Sequence, residues 1–139
     1  MKTTNEIQQQ IIEDFSLFED WMSKYEYIID LGKRLEPMPE KFKTDEYLVK
    51  GCASKAWIYP EYKDGKLHFY ADGDAVISKG FLYLLLQVFN NRTPQEILDT
   101  QLFFIEKIGL KEHLSPTRVN GLISAIEQIK KIAEKYKNN

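Results

Sequence analysis

The sequence predicts an α+β fold in which a small antiparallel sheet, of three strands at most, packs against helices. One hairpin signal defines the sheet, because Asp64-Gly65 is a favoured two-residue turn and the strand-like segments 56–62 and 66–72 flank it. Apolar residues recur at helical spacing through most of the remaining chain. With 139 residues, 43% of them hydrophobic, the chain is long enough to form a single domain over residues 1–139 around its own core.

Two helices are expected before the sheet. Thr3 with Glu6 three residues later is a capping-box pattern and predicts a first helix over about residues 4–15. Ser16 and Glu19 repeat that spacing, so a second helix is expected to begin there. It should end near Gly32 to Leu35, because Pro37 and Pro39 follow and proline cannot continue a helix.

The predicted hairpin has one buried face. Counting outward from the turn places alternate residues on that face, namely Ile58, Pro60, Tyr62, Leu67, Phe69 and Ala71. Residues 48–49 are candidates for a short third strand.

A central helix is expected over residues 75–90, with Asp74 as its N-cap. It is apolar nearly all round after Lys79, so we expect it to be the most buried helix and to cover the sheet. Gly80 lies inside it at a cost in helix propensity, which indicates a close approach by a neighbouring backbone.

Two further helix starts are marked by capping residues and proline. Thr93 and Glu96 form a capping box around Pro94, and Ser115 precedes Pro116 at the start of the last helix. The inward face of the last helix is predicted to consist of Val119, Leu122, Ile123, Ile126, Ile129 and Ala133. Its solvated face is predicted to carry Lys130, Lys131, Lys135 and Lys137.

Composition argues against several classes of partner. A net charge of −2 and a pI near 5.7 provide no cationic surface for nucleic acid. The longest apolar run is too short to span a bilayer, so no membrane partner is expected. One cysteine cannot form an internal disulfide, and the first residues begin a mixed helix pattern, so a cytoplasmic protein is expected.

The only cysteine, Cys52, lies in the stretch around which the chain is organised. Gly51 suits a tight bend or hinge before it, and the small Ser54 leaves room for a partner to reach the sulfur. Lys50 and Lys55 bracket the sulfur, and nearby positive charge favours the nucleophilic thiolate. The alternative is a small buried hydrophobic residue, which composition alone favours because unpaired cysteines are often buried.

Other chemistry has little support in the sequence. Cys52, His68 and His113 lie in unrelated elements and give no metal-ligand spacing, so no metal is expected. A cysteine–histidine hydrolase would need one of these histidines as base, but no local signature supports it. We expect His68 on the strand face opposite the core, and both histidines as surface or turn residues.

Four stretches resemble, in order, the motifs of the SufE family of cysteine desulfuration proteins. They are GCASKAW at 51–57, DAVISKG at 74–80, TPQEI at 93–97 and LSPTRVNGL at 114–122. The resemblance implies a SufE/IscU-like α+β domain whose cysteine accepts sulfane sulfur from a SufS-type cysteine desulfurase and delivers it to iron-sulfur cluster assembly.

Carried over residue by residue, the resemblance makes Cys52 the persulfide acceptor. Gly51, Ser54, Asp74 and Arg118 match motif positions and are implied to be supporting or partner-facing residues. No cofactor is expected in this chain, because pyridoxal phosphate belongs to the desulfurase. The implied partners are that desulfurase and a downstream SufBCD-type scaffold, and a monomer or weak homodimer is expected.

The sequence departs from the family at four positions near the motifs. Ala53 and Lys55 stand where the family commonly has glutamines, and Gly73 and Ser78 lie near the aspartate. These changes keep the thiol chemistry and bear on which desulfurase is the partner and how tightly it binds.

Two other functions stay open on the sequence. A non-covalent adaptor would activate a desulfurase by binding alone. A U-type cluster scaffold is the other, although one cysteine lacks the ligand set for a cluster within one chain. Arg118 is expected to pair with an acid or to contact a partner, because a cation gains nothing from the helix dipole in a first turn.

Overall fold

The computed structural model describes residues 2–51 and 54–138. Its architecture is α+β, as predicted, with one two-stranded antiparallel sheet packed against helices. In chain order the elements are α1 (Thr4–Ser16), α2 (Trp21–Gly32), two 3-10 turns (Glu40–Phe42 and Asp45–Tyr47), β1 (Ala56–Lys63), β2 (Lys66–Gly73), α3 (Val76–Phe89), α4 (Pro94–Asp99), α5 (Phe104–Lys107), α6 (Leu110–His113) and α7 (Pro116–Lys137).

The hairpin forms at the predicted turn. Asp64 and Gly65 have φ angles of 54° and 79°, the left-handed conformation that a tight hairpin turn of this kind requires at both positions. The expected third strand is wrong for the described residues, because Leu48 makes only an isolated bridge with Trp57.

The face of the hairpin toward the helices is the predicted one. Ile58, Leu67 and Phe69 are fully buried in the core. Toward the turn the burial falls off, since Pro60 is half-buried and Tyr62 is 37% exposed. Tyr62 lies at the turn end of β1, where the core ends, and this position leaves it partly in solvent. Its ring stacks on Tyr136 of α7 with centroids 4.9 Å apart.

The core is built around α3, which buries the aliphatic and aromatic side chains of its middle and last turns. The predicted close approach at Gly80 is confirmed, because a Cβ placed there would collide with the carbonyl oxygen of Ile28 in α2. A Cβ on Gly32 would lie 2.8 Å from the backbone nitrogen of Gly80. The two helices therefore cross with their backbones in contact.

Two of the three predicted capping boxes are present, those at Thr3 and Thr93. The Thr3 and Thr93 hydroxyls accept from the backbone N–H groups of Glu6 and Glu96, at 3.1 Å in each case. Each glutamate returns the bond to the threonine N–H at 3.0 Å. Ser115 likewise caps α7.

The predicted start of the second helix at Ser16 is wrong. Asp20 is the N-cap of α2, and its carboxylate accepts from the Ser23 N–H at 2.7 Å. The Ser16 hydroxyl instead donates backward to the Glu13 carbonyl at 2.6 Å, inside the last turn of α1. A hydroxyl used in this way cannot cap the following helix.

Two expectations for α7 are also wrong. Ile123 was expected on the inward face but is 40% exposed. Lys130 was expected in solvent, yet its ammonium donates to the carbonyls of Ile97 at 2.5 Å and Thr100 at 2.6 Å. Lys130 thus satisfies carbonyls at the end of α4, and its burial lowers its pKa.

Within residues 2–51 and 54–138, no helix combines the length and apolar character needed to cross a membrane.

Candidate functional site

The predicted acceptor Cys52, with Ala53, lies outside the described residues. The chain on either side is fixed by an antiparallel contact. The Val49 N–H donates to the Ala56 carbonyl at 2.7 Å, and Leu48 bridges Trp57. The described residues that flank the cysteine, Val49 on one side and Ala56 on the other, are therefore held together, and we call the segment 50–55 between them the cysteine loop.

A second bond ties this loop to the entrance of α3. The Asp74 N–H donates to the Lys55 carbonyl at 2.9 Å. The predicted cap role of Asp74 is wrong, because the N-cap position belongs to Ala75 and no side chain caps the helix. Asp74 follows directly after the end of β2 at Gly73, and its backbone N–H is used in the bond to Lys55. Its side chain is exposed.

Gly51 has the left-handed conformation, with φ of 80°. Residues with a Cβ rarely adopt this angle, so the predicted bend before the cysteine is present and favours glycine. A Cβ at this position would also lie 3.3 Å from the Ser124 Oγ of α7. Gly51 therefore lies directly against α7.

A cavity of about 40 Å³ opens beside this loop, between β1, α3 and the first half of α7. Ser54 of the loop lines it, and its walls are mostly apolar, formed by Val49, Ala56, Phe81, Leu82, Leu85 and Leu122 among others. A water molecule's share of liquid volume is about 30 Å³, whereas cavities for drug-sized ligands and cofactors have roughly 300–1,000 Å³. The cavity therefore suits a group of one or two heavy atoms.

Arg118 is the charged residue of this lining. Its guanidinium Nη1 donates to the Ser78 Oγ at 3.3 Å, and both residues are half-buried. The expected acid partner is not found, since no carboxylate in the described parts of the chain lies within 4 Å of the guanidinium. Sequence reasoning missed Ser78 as a site residue, because it lies 40 positions away from Arg118.

Two helix N-termini add to this positive charge. Ser78 lies in the first turn of α3 and Arg118 in the first turn of α7, and neither first turn contains an acidic residue. The N-terminal end of a helix has a partial positive charge from its unpaired N–H groups. This end of the cavity therefore favours an anion, such as a thiolate, over a neutral group.

The nearest acid on β2 is already neutralised. Asp72 accepts from Lys43 at 2.8 Å and lies 3.5 Å from Lys79. Burial acts to raise the pKa of Asp72, but the bonds from Lys43 and the Gly73 N–H outweigh it, so the pKa is lowered. The same contact with Asp72 raises the pKa of Lys43 to about 12. The Lys43–Asp72 ion pair thus ties the segment before the loop to the end of β2.

The histidines lie elsewhere. His68 is on the outer face of the hairpin, as predicted, with Nε2 2.6 Å from Glu36 Oε1 and Nδ1 3.2 Å from Asn91 Oδ1. The His113 ring stacks on Trp21 with centroids 4.4 Å apart. Neither lines the cavity. Throughout the part of the chain that the structure describes, no three His, Cys, Asp or Glu residues are grouped to hold a metal ion.

Fold and site together define a class: a small α+β protein in which the residues flanking its cysteine are held together by an antiparallel contact and line an apolar, positively charged cavity. The family model for SufE, described as an Fe-S metabolism associated domain, matches residues 9–133. The chain therefore belongs to the SufE family and has a role in Fe-S metabolism.

Two curated relatives agree with this assignment. An uncharacterized SufE-like protein of Rhizobium meliloti is 42% identical over 130 residues, covering 90% of this chain and 93% of that protein. The cysteine desulfuration protein SufE of Wigglesworthia glossinidia brevipalpis is 40% identical over 125 residues, which cover 88% of this chain and 86% of that protein.

A solved structure has the same fold. The solution structure of a hypothetical protein from Thermus thermophilus superposes with a TM-score of 0.78, covering 96% of this chain and 97% of the other. Their sequences are 20% identical, so the likeness concerns the fold alone.

Proposed function

We propose that this protein accepts sulfane sulfur as a persulfide on Cys52 from a pyridoxal-phosphate-dependent cysteine desulfurase, raises the turnover of that enzyme, and passes the sulfur to iron-sulfur cluster assembly. Family membership and the 40% identity to a cysteine desulfuration protein support this role. The candidate partner is a SufS-type desulfurase, and the candidate recipient is a SufBCD-type scaffold.

The proposed reaction is a thiol exchange. The Cys52 thiolate attacks the outer sulfur of a persulfide on the desulfurase, and a new S–S bond forms as the old one breaks. The donor cysteine leaves as a thiolate, so no external oxidant or reductant is needed. Carbon–sulfur cleavage happens earlier, on the pyridoxal phosphate of the partner, and this chain needs no cofactor of its own.

The observation that carries the proposal is the cavity beside the loop. It is lined by Ser54, two residues after Cys52, and by Arg118, whose positive charge has no carboxylate partner within 4 Å in the described chain. Positive charge favours the thiolate that attacks and the persulfide anion that results. Apolar walls would keep the transferred sulfur away from reductants and oxidants between partners.

The remaining site residues have supporting roles in this proposal. Gly51 supplies the bend that places the loop against α7, and Asp74 fixes the loop end through its backbone. The exposed Asp74 carboxylate is free to face the desulfurase. The protein would act in the cytoplasm as a monomer or weak homodimer.

Intact-protein mass spectrometry tests the proposal directly. After incubation with a desulfurase and free cysteine, the wild-type chain should gain the mass of one sulfur atom, and a reductant should remove it. Peptide mapping should place the sulfur on Cys52.

Cys52→Ser is the decisive variant, because its hydroxyl keeps the shape but is far less nucleophilic near neutral pH. It should fold and bind the desulfurase, yet acquire no sulfur and fail to raise turnover. If Cys52→Ser stimulates the enzyme as well as the wild type does, the thiol is not the relay and the protein is a non-covalent adaptor. Anaerobic reconstitution with iron and sulfide distinguishes a cluster scaffold, which would retain both.

A further inference from the structure

We infer that Ser78 is a positioning residue for sulfur transfer: its hydroxyl holds the Arg118 guanidinium at the wall of the cavity beside the Cys52 loop. The inference deepens the proposed function and rests on it. It concerns a residue that the sequence marked only as a departure from the family pattern.

The contact joins two elements that are far apart in sequence. The Arg118 Nη1 donates to the Ser78 Oγ at 3.3 Å, linking the first turn of α7 to the first turn of α3. Both side chains line the cavity. Ser78 has no capping duty, because the N-terminus of α3 has no side-chain cap bond at all.

Arg118 needs such a contact to stay in place. An arginine side chain loses rotamer entropy when it is held, and a cation in the first turn of a helix is repelled by the helix dipole. With no carboxylate within 4 Å in residues 2–51 and 54–138, the guanidinium would be more stable in solvent than at the cavity wall. The Ser78 hydroxyl offsets this cost at the place where positive charge is useful.

The hydroxyl acts on the sulfur through Arg118. The guanidinium that it holds is the charged group of the cavity lining. Positive charge at this wall would favour the thiolate of Cys52 over the neutral thiol.

The first test uses the protein alone. Alkylation of Cys52 by iodoacetamide is followed against pH in the wild type, Ser78→Ala and Ser78→Thr. Ser78→Ala should move the profile to higher pH and slow alkylation near pH 7 by about two- to tenfold, the effect of one hydrogen bond. Ser78→Thr should restore most of the rate, because it retains the hydroxyl. An unchanged profile in Ser78→Ala overturns the inference.

A double-mutant cycle separates positioning from a structural role. If Ser78 acts through Arg118, Ser78→Ala should add little to the slowing caused by Arg118→Ala. Melting temperatures should stay close to that of the wild type in both variants. Fully additive effects, or slowing that follows a lower melting temperature, would overturn the inference.

The transfer assay keeps the two proposals apart. Sulfur loading of Cys52 by a desulfurase should also be about two- to tenfold slower in Ser78→Ala. A wild-type protein that never acquires sulfur would overturn the proposed function. A normal wild-type adduct, formed at the same rate in Ser78→Ala, would overturn only the role of Ser78.

Discussion

Gly80 of α3 and Ile28 of α2 touch backbone to backbone, with the Ile28 carbonyl in the space that a Cβ on Gly80 would fill. This contact lets the two helices lie close enough to share one core. Because α3 begins at the cavity, its position depends on this crossing.

Gly80→Ala should therefore destabilise the fold. The added methyl group meets backbone atoms of α2, which cannot move without separating the helices, and overpacking of this kind costs about 1–3 kcal/mol or more. Urea unfolding measures the loss. Gln87→Ala, at an exposed position of the same helix, is the control and should change stability by less than about 0.5 kcal/mol. Equal midpoints for the two variants would contradict the contact.

Lys130→Met should destabilise the protein, although a lysine on an amphipathic helix is usually solvated and can be replaced at little cost. Methionine retains an apolar stem but leaves the carbonyls of Ile97 and Thr100 without their charged donor. Hydrogen bonds from charged groups contribute about 1.5–3 kcal/mol. The neighbouring Lys131 is exposed, so Lys131→Met is the matched control. A thermal unfolding experiment that gives the two variants the same midpoint would rule out this role.

The Lys43–Asp72 ion pair predicts a pH window for stability. The pKa of Asp72 is lowered in the folded state, so its contribution is present above its ordinary value of 3.8 and is lost as pH falls through the lower folded pKa. The pKa of Lys43 is raised to about 12, so its contribution is full below 10.5 and is lost as pH rises through about 12. Between these limits the ion pair stabilises the fold.

Lys43→Met tests the pair. Its unfolding free energy should fall below that of the wild type near pH 7, and the difference should shrink under strongly acidic conditions as Asp72 becomes protonated. Lys33→Met is the control, because the ion pair of Lys33 with Asp30 is mostly exposed and should contribute little. A difference that is the same at both pH values would argue against coupling between Lys43 and Asp72.

A further prediction concerns access to Cys52. If the loop shelters the sulfur between partners and opens at the desulfurase, a bulky thiol reagent should label Cys52 slowly in the free protein and faster in the complex. Iodoacetamide, which is smaller, should show a weaker dependence on the partner. Fast labelling by the bulky reagent without a desulfurase would indicate a thiol that is always exposed.

The elements predicted correctly are those set by local chemistry. The hairpin depends on a turn that Asp64 and Gly65 determine by themselves, and the capping boxes at Thr3 and Thr93 each need residues within one turn. Helix α3 is apolar on nearly all sides, so its burial could be predicted from its sequence alone. Signals of this kind are complete within a few residues, so the sequence was sufficient for them.

The wrong predictions for Asp74 and Lys130 concern groups whose partners are distant in sequence. The Asp74 backbone bonds to Lys55, and Lys130 reaches the end of α4. The local pattern predicted that Asp74 would cap a helix and that Lys130 would be solvated, but each residue makes a tertiary contact instead. The Ser78–Arg118 bond is likewise visible only once α3 and α7 are folded together.

The joined base of the cysteine loop limits how far the thiol can travel. Cys52 is three residues from Val49, whose N–H is bonded to Ala56. Even fully extended, three residues span only about 10 Å. A carrier on so short a tether cannot swing between distant sites as a long flexible arm does. If Cys52 carries sulfur as proposed, each donor and each recipient must therefore bring its own reactive atom to this surface, and sulfur would pass only within closely fitted, short-lived complexes.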